Sequence, residues 1–282
     1  MAAIVGQSGA WQIIASALAR RGYPISSPRE LLPLLASIEK TRPKMIDANH
    51  ANTMRSVQEL TTRIAALELY RGVFRRLISW FRIRALRTEI AALYKADLHY
   101  SSALDQAIAH VQSLLTSAEL AGAEAELATI DRLRTLPSSV IVFNDVRLKA
   151  SRHIRFNGIA LLSAQIDHVV LTPAGVFVIE TKRWSQRFVE SGNFYNPFEQ
   201  VSRANYLCYD LLRRSFGKTR VRSIIACDGS LPEPPRESYV KVVRPEGLTS
   251  YILGFRNAEL GPELFDKLRS FFEYRVGSPN AI

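Results

Sequence analysis

Residues 165–182 read Gln-Ile-Asp-His-Val-Val-Leu-Thr-Pro-Ala-Gly-Val-Phe-Val-Ile-Glu-Thr-Lys, and this stretch limits the fold more tightly than any other. Two runs rich in β-branched residues flank Thr172-Pro173-Ala174-Gly175. Proline presets φ and glycine accepts positive φ, so these four residues predict a β-turn, and the whole predicts a hairpin. Side chains alternate faces along a strand. Gln165, Asp167, Val169 and Leu171 therefore share one face, as do Val176, Val178, Glu180 and Lys182 on the second strand. A two-residue loop pairs Thr172 with Gly175, which sets Asp167 opposite Glu180 and Gln165 opposite Lys182. A bulge at Gly175 would shift that register by one and undo the pairing.

In that register two carboxylates, a lysine and an amide meet at one end of the hairpin. Two carboxylates this close repel unless something neutralises them. Mg²⁺ takes oxygen ligands from one or two carboxylates and keeps waters for a phosphate. A lysine beside it orients water or offsets phosphate charge. The set suits metal-assisted phosphodiester hydrolysis. The competing reading is an Asp/Glu/Lys ion-pair network at a strand end. Ile166, Val170, Phe177 and Ile179 make the other face apolar as well, so the hairpin is expected at the centre of a sheet covered on both sides. Charges there are costly unless paired or metal-bound.

The ordered string Ile166-Asp167-His168-Val169-Val170, followed by Pro173, Gly175 and Val176-Phe177-Val178-Ile179-Glu180-Thr181-Lys182, resembles the NERD (nuclease-related) domain. That family is grouped with the PD-(D/E)xK restriction-endonuclease-like fold. The resemblance implies a Mg²⁺-dependent endonuclease, with Mn²⁺ able to substitute. It implies Asp167, Glu180 and the main-chain carbonyl of Thr181 as metal ligands, and Lys182 as the group that assists water or phosphate. Gly122-Ala123-Glu124-Ala125-Glu126 resembles the family's Gly-x-x-Gly-Glu, with Ala125 in place of the second glycine. Glu126 is the corresponding residue and Glu124 its competitor. Asn196-Pro197-Phe198-Glu199-Gln200 resembles the family's Asn-Pro-x-x-Gln, which places Gln200 toward the active centre. Asn144-Asp145-Val146 also resembles the family; a turn or bulge role is expected for Asp145. The resemblance covers about 116–282 and makes DNA the expected substrate ahead of RNA.

Around that hairpin, Ala118–Leu136 predicts a helix and Val140–Leu148 a strand. Lys149–Ser163 is expected as a connecting segment whose Lys149, Arg152, His153 and Arg155 contact phosphate. Arg183 and Trp184 follow the hairpin, and Trp184 either packs beside the site or stacks on a base. Asn196 predicts a helix cap with Pro197 in the first turn, and Gln200 and Arg203 then share one helix face. Strands at Val221–Ala226 and Tyr239–Val243 and a helix at Pro262–Tyr274 complete the set. The expected fold is α+β or α/β, a mixed sheet flanked by helices, restriction-endonuclease-like, preceded by an all-α domain. The expected division is a helical region at 1–115, coiled-coil or helical hairpin, and the nuclease domain at 116–282.

The helical part predicts helices at Trp11–Arg20 and from Ser27, where Pro28 and Glu30 suggest a capping box, with Pro43 ending the pattern. A long helical pattern then runs from Ala48, its only glycine being Gly72. Arg71, Arg75, Arg76, Arg82, Arg84 and Arg87 fall with no acid between Arg71 and Glu89, interleaved with apolar residues. This is either a solvated arginine face beside a packed apolar face or a surface for nucleic acid, a membrane or an acidic partner.

The net charge is +11 in 282 residues, which favours an anionic partner. Cys208 and Cys227 have no metal-ligand spacing and imply no disulfide framework, which fits a reducing cytoplasm. No signal peptide or membrane span is expected. The partners expected are nucleic acid and, through the N-terminal helices, a second copy or a regulatory protein. The rival reading is a non-catalytic nucleic-acid-binding or partner-regulated module.

Overall fold

A computed structural model describes residues 1–69 and 73–277, with backbone alone for 73–76. The chain divides into two compact units, one of residues 1–19 with 117–282 and the other of residues 20–116. The first nineteen residues thus belong with the sheet, not with the helical region expected for 1–115. They contribute a strand, β1 (Ala3–Val5), and a helix, α1 (Gly9–Ala19).

The helical unit consists of α2 (Leu31–Glu68) and α3 (Val73–Leu115). Arg42 pairs with Asp105, and Asn49 and His50 with Asp97, while Glu68 pairs with Arg87. Partners that rise in number on one helix fall on the other, so the helices form an antiparallel hairpin. Its seam is apolar: Val57, Leu60, Ile64, Leu104 and Val111 are buried. The expected capping box is replaced. Pro28–Glu30 is a 3₁₀ turn, and Glu30 Oε2 accepts from the Ser26 N–H at 3.2 Å. Pro43 does not end the helix either but lies inside α2. Loss of one N–H weakens a helix, yet the seam on both sides of Pro43 holds this one together. Arg71 lies outside the described residues, as do the side chains of Arg75 and Arg76.

The sheet unit continues with α4 (Ala118–Arg134), β2 (Ile141–Phe156), β3 (Ile159–Thr172), β4 (Gly175–Lys182), α5 (Gln186–Glu190), α6 (Pro197–Phe216), β5 (Val221–Cys227), β6 (Lys241–Val243), α7 (Leu248–Leu253) and α8 (Pro262–Glu273). The six strands lie in chain order. β1 runs parallel to β2, β2–β3–β4 are antiparallel, and β4–β5–β6 are parallel. The sheet is mixed, as expected for an α+β fold.

One face of the sheet carries Val142, Val170, Phe177 and Ile179 against Leu133, Leu136 and α7. The other carries Phe143, Val169, Val176 and Val178 against α6 and α8. Every residue of β4 up to Thr181 is buried, so this hairpin is the centre of a three-layer unit. Thr172 pairs with Gly175, the register of the two-residue loop. Gly175 has φ +120°, and a Cβ there would stand 2.8 Å from an Arg222 nitrogen and 3.0 Å from the Arg220 carbonyl. Glycine is what lets the turn pass under β5.

The segment 149–163 is not a loop. β2 runs on to Phe156, turns at Asn157 and Gly158 with φ 48° and 77°, and returns as β3. Two successive positive φ values give the twisted two-residue turn that suits a hairpin. Arg152 and Arg155 are exposed on this extension.

Candidate active site

The site lies where β3 and β4 part. Their pairing ends at His168 with Ile179, so Asp167 and Glu180 are the next residues on each strand. Asp167 turns inward, and its Oδ2 accepts the main-chain N–H of Thr181 at 2.8 Å. Glu180 is 2% exposed, the depth at which a carboxylate must be neutralised or protonated. Its Oε1 accepts from Lys182 Nζ and from Gln200 Nε2, both at 2.5 Å.

Gln200 reaches Glu180 because of the way α6 begins. Asn196 Oδ1 accepts the N–H groups of Phe198 and Glu199, and Pro197 occupies the first turn. Phe198, Val201, Ala204 and Leu207 then bury one stripe, which fixes the rotation of the helix. Gln200 is left facing the sheet end. The amide expected from Gln165 goes elsewhere, donating to Asp145 Oδ1 at 2.6 Å.

Glu126 joins from α4. Its Oε2 accepts the Ser8 hydroxyl at 2.7 Å and the Ala10 N–H at 3.3 Å, so its carboxylate sits at the N-terminus of α1. Ser8 also caps that helix by accepting the Trp11 N–H at 3.0 Å. Glu124, its competitor in the sequence, is exposed and pairs with Arg183. Ser8 was missed in the sequence, although a serine three residues ahead of the buried Trp11 is a recognisable cap.

Asp145 is the other acid that the sequence left aside. It is buried, has φ +52°, and pairs with Arg147 at 3.4 Å. Ile141 and Phe143, then Val146 and Leu148, face the same core, so the alternation of β2 slips by one residue at Asp145. It is not the expected bulge, because Asn144 still pairs with His168 and Val146 with Ile166, so the register of β2 against β3 is unchanged across Asp145. A Cβ on Gly9 would stand 3.0 Å from Asp145 Oδ1, so α1 begins in tight contact with the Asp145 side chain.

The charges are not balanced. Burial raises Glu126 to about 7, and repulsion from Asp167 adds to it against the Ser8 and Ala10 hydrogen bonds. Burial and repulsion from Asp167 raise Glu180 to about 8 despite Lys182. Asp167 is raised as well, by burial first, against Lys182 and the Thr181 N–H. Burial is the main cause for all three, and the nearby carboxyls add to it.

A buried relay lies behind the site. Asn144 Nδ2 donates to the Gly6 carbonyl at 3.2 Å, which fixes its amide orientation. Asn144 Oδ1 must then accept from His168 Nδ1, 2.8 Å away. His168 Nε2 is left to accept the Thr181 hydroxyl at 3.1 Å. Burial lowers His168 to about 3, in keeping with a neutral ring. The relay holds Thr181, the residue whose N–H holds Asp167.

The remaining expected residues divide. Arg183 bridges Glu124 at 3.3 Å and Asp228 at 3.9 Å. Arg203 pairs with Glu199 at 3.0 Å and lies 5.1 Å from the Tyr195 ring centroid. Trp184 packs with Phe188 and Phe194, with Lys182 Nζ 5.6 Å from its ring. Arg152 and Arg155 take no part in the hydrogen bonds or ion pairs of the site. A cleft of about 120 Å³ opens beside Lys182, lined by Thr129, Arg132, Thr181, Lys182, Arg183 and Asp228 among others. It lies at the carboxyl ends of β4 and β5.

These elements, from α4 to β5, coincide with a family match. Residues 121–227 match the NERD family, the nuclease-related domain. That segment of the chain is similar to a nuclease-related domain. It contains Glu126, Asp167, Glu180, Lys182 and Gln200, while Ser8 and α1 lie outside the matched residues. No curated protein matches. Among solved structures, protein VC1899 from Vibrio cholerae is similar at 11% identity with a TM-score of 0.27, over 90% of this chain. The match spans 59% of that protein's length.

Among the described residues, no group of three or more His, Cys, Asp and Glu side chains is placed to hold a metal ion. Mg²⁺ asks for less, taking one or two carboxylates and completing its octahedron with waters and other oxygens. Asp167 and Glu180 fit that demand. They are hard oxygen donors on adjoining strands, and burial and crowding hold both above their ordinary range. A divalent cation between them would remove the repulsion and release their protons.

Proposed function

We propose that this chain is a metal-dependent nuclease that hydrolyses phosphodiester bonds, DNA ahead of RNA, in the cytoplasm. The observation that carries the reading is Glu180. It is a buried carboxylate held by Lys182 and Gln200 on one oxygen and crowded by Asp167. An ion-pair network built only for stability would not leave two further carboxyls unpaid in charge beside its single lysine.

In this reading Asp167, Glu180 and the Thr181 carbonyl hold Mg²⁺, with Mn²⁺ able to replace it. Bound there, the ion supplies a Lewis acid to the phosphate and lowers the pKa of a water. Lys182 carries a fixed positive charge beside Glu180, where the phosphate gathers negative charge. Gln200 orients Glu180 and shares its load with Lys182. Glu126 takes a proton readily near neutral pH, which suits a group that handles the proton of an attacking water. Arg152, Arg155, Arg183, Trp184 and Arg203 are the strand-contacting set. Arg183 and Arg203 must exchange their acidic partners for phosphate, whereas Arg152 and Arg155 are exposed already.

The test is cleavage of supercoiled plasmid and of single-stranded DNA with Mg²⁺ or Mn²⁺, comparing wild type with Glu180→Ala. Cutting that needs the metal and disappears in the variant supports the reading. Equal cutting by both proteins, or binding of DNA without cutting by either, would sink it.

A further inference from the structure

The start of α3, at one end of the α2–α3 hairpin, is built the wrong way out for a water-facing helix. Leu77 is 58% exposed, Ile78 55%, Trp80 52% and Phe81 60%, whereas Ser79 between them is buried at 7%. Four large apolar side chains in five residues point to solvent, and the small polar one points inward. Scattered exposed apolar residues are ordinary, but a contiguous patch marks a surface that is covered in use. The patch is also cationic. Arg82, Arg84 and Arg87 follow at once on the same helix, all exposed, with no acid among them. Arg84 lies 5.7 Å from the Trp80 ring centroid, and Arg87 is within 3.7 Å of Glu68 on α2.

We propose that this end of the hairpin docks on an anionic lipid surface. Arginine side chains meet lipid phosphate while the apolar side chains enter the acyl boundary, the division of labour of an interfacial helix. Tryptophan sits well at that level because its ring is apolar and its N–H is polar. No described helix is long and apolar enough to cross a membrane, so the element lies on the surface instead of spanning it. The composition favours lipid over other anionic or apolar partners. A nucleic-acid strand would use Trp80 and Phe81 for stacking but gives Leu77 and Ile78 nothing to stack. A second copy of the same patch would bring arginines against arginines, with Glu68 already taken by Arg87.

The test is co-sedimentation of the full chain with vesicles of phosphatidylcholine alone and with added phosphatidylglycerol. Wild type is expected to pellet with the anionic vesicles, weakly with the neutral ones, and less as salt rises. Trp80→Ser/Phe81→Ser and Arg82→Glu/Arg84→Glu are each expected to lower the partition by about tenfold or more. All four residues lie outside the buried seam, and circular dichroism verifies that helicity is unchanged. No pelleting of the wild type, equal pelleting with both vesicle types, or variants that pellet like wild type overturns the proposal. So does a variant that loses binding to single-stranded DNA, or changes oligomeric state by light scattering, while its vesicle partition stays constant. None of these readouts depends on nuclease activity.

Discussion

The Ser8 hydroxyl donates to Glu126 Oε2 at 2.7 Å, joining the first helix of the chain to the segment that matches the nuclease-related family. Residues far apart in sequence thereby set the charge of one carboxyl. The same serine caps α1, so a single side chain serves both the helix and the site.

Ser8→Ala therefore removes two hydrogen bonds, one to a carboxylate and one to a helix N–H. A loss of about 1–3 kcal/mol is expected, read from the urea midpoint. Glu126 should also titrate at higher pH in the variant, because the Ser8 bond favours its charged form. Ser8→Thr should retain most of both. An unchanged midpoint in Ser8→Ala would contradict this arrangement.

The raised carboxyls give the metal-free protein an unusual pH profile. Glu126 at about 7 and Glu180 at about 8 hold protons in the folded chain that the unfolded chain has already released above its ordinary value near 4.5. Their contribution to stability is full below that value and is lost as pH rises through the folded values. The melting temperature without metal should fall between about pH 5 and pH 8. Glu180→Gln should flatten the fall. Mg²⁺ should raise the melting temperature more at pH 8 than at pH 6, since it binds the ionised form. A metal-free profile flat across that range would count against the charge imbalance.

His168 works with the opposite sign. Its folded value is lowered to about 3 by burial, so its contribution is present above the ordinary histidine range and is lost as pH falls toward 3. His168→Ala would leave Asn144 and Thr181 facing a void, at a cost of about 2–4 kcal/mol. His168→Gln, which keeps a donor and an acceptor, should recover part of that. Denaturation at pH 7 compares the three proteins, and equal stability of wild type and His168→Ala would rule out the relay.

At the turn, Gly175→Ala should cost about 2 kcal/mol or more, because a side chain there meets the Arg220 carbonyl in a positive-φ position. Ala174, one residue earlier, is buried but not so constrained, and Ala174→Gly should cost less. Thermal denaturation of the two variants would show the order, and the reverse order would be incompatible with the turn.

The sequence alone determined the hairpin at 165–182 and its turn at 172–175, because proline, glycine and β-branched residues act within a few positions, while the structure chose the two-residue register over the bulged one. It also determined the cap of α6 at Asn196, and the near-equal spacing of two candidate glutamates on α4. Tertiary structure decided between those glutamates. Glu126 is drawn in by Ser8 and Ala10, while Glu124 is left at the surface with Arg183. It also gave Glu180 its amide from Gln200 and turned Gln165 to Asp145, because helix rotation and strand splay are set by core contacts remote in sequence. The same holds for the Arg152 and Arg155 extension, where strand pairing across Asn157 and Gly158 made a ribbon of what reads as a polar connection. Pro43 is the clearest local signal overruled. One missing hydrogen bond weighs little against an apolar seam that continues on both sides of it.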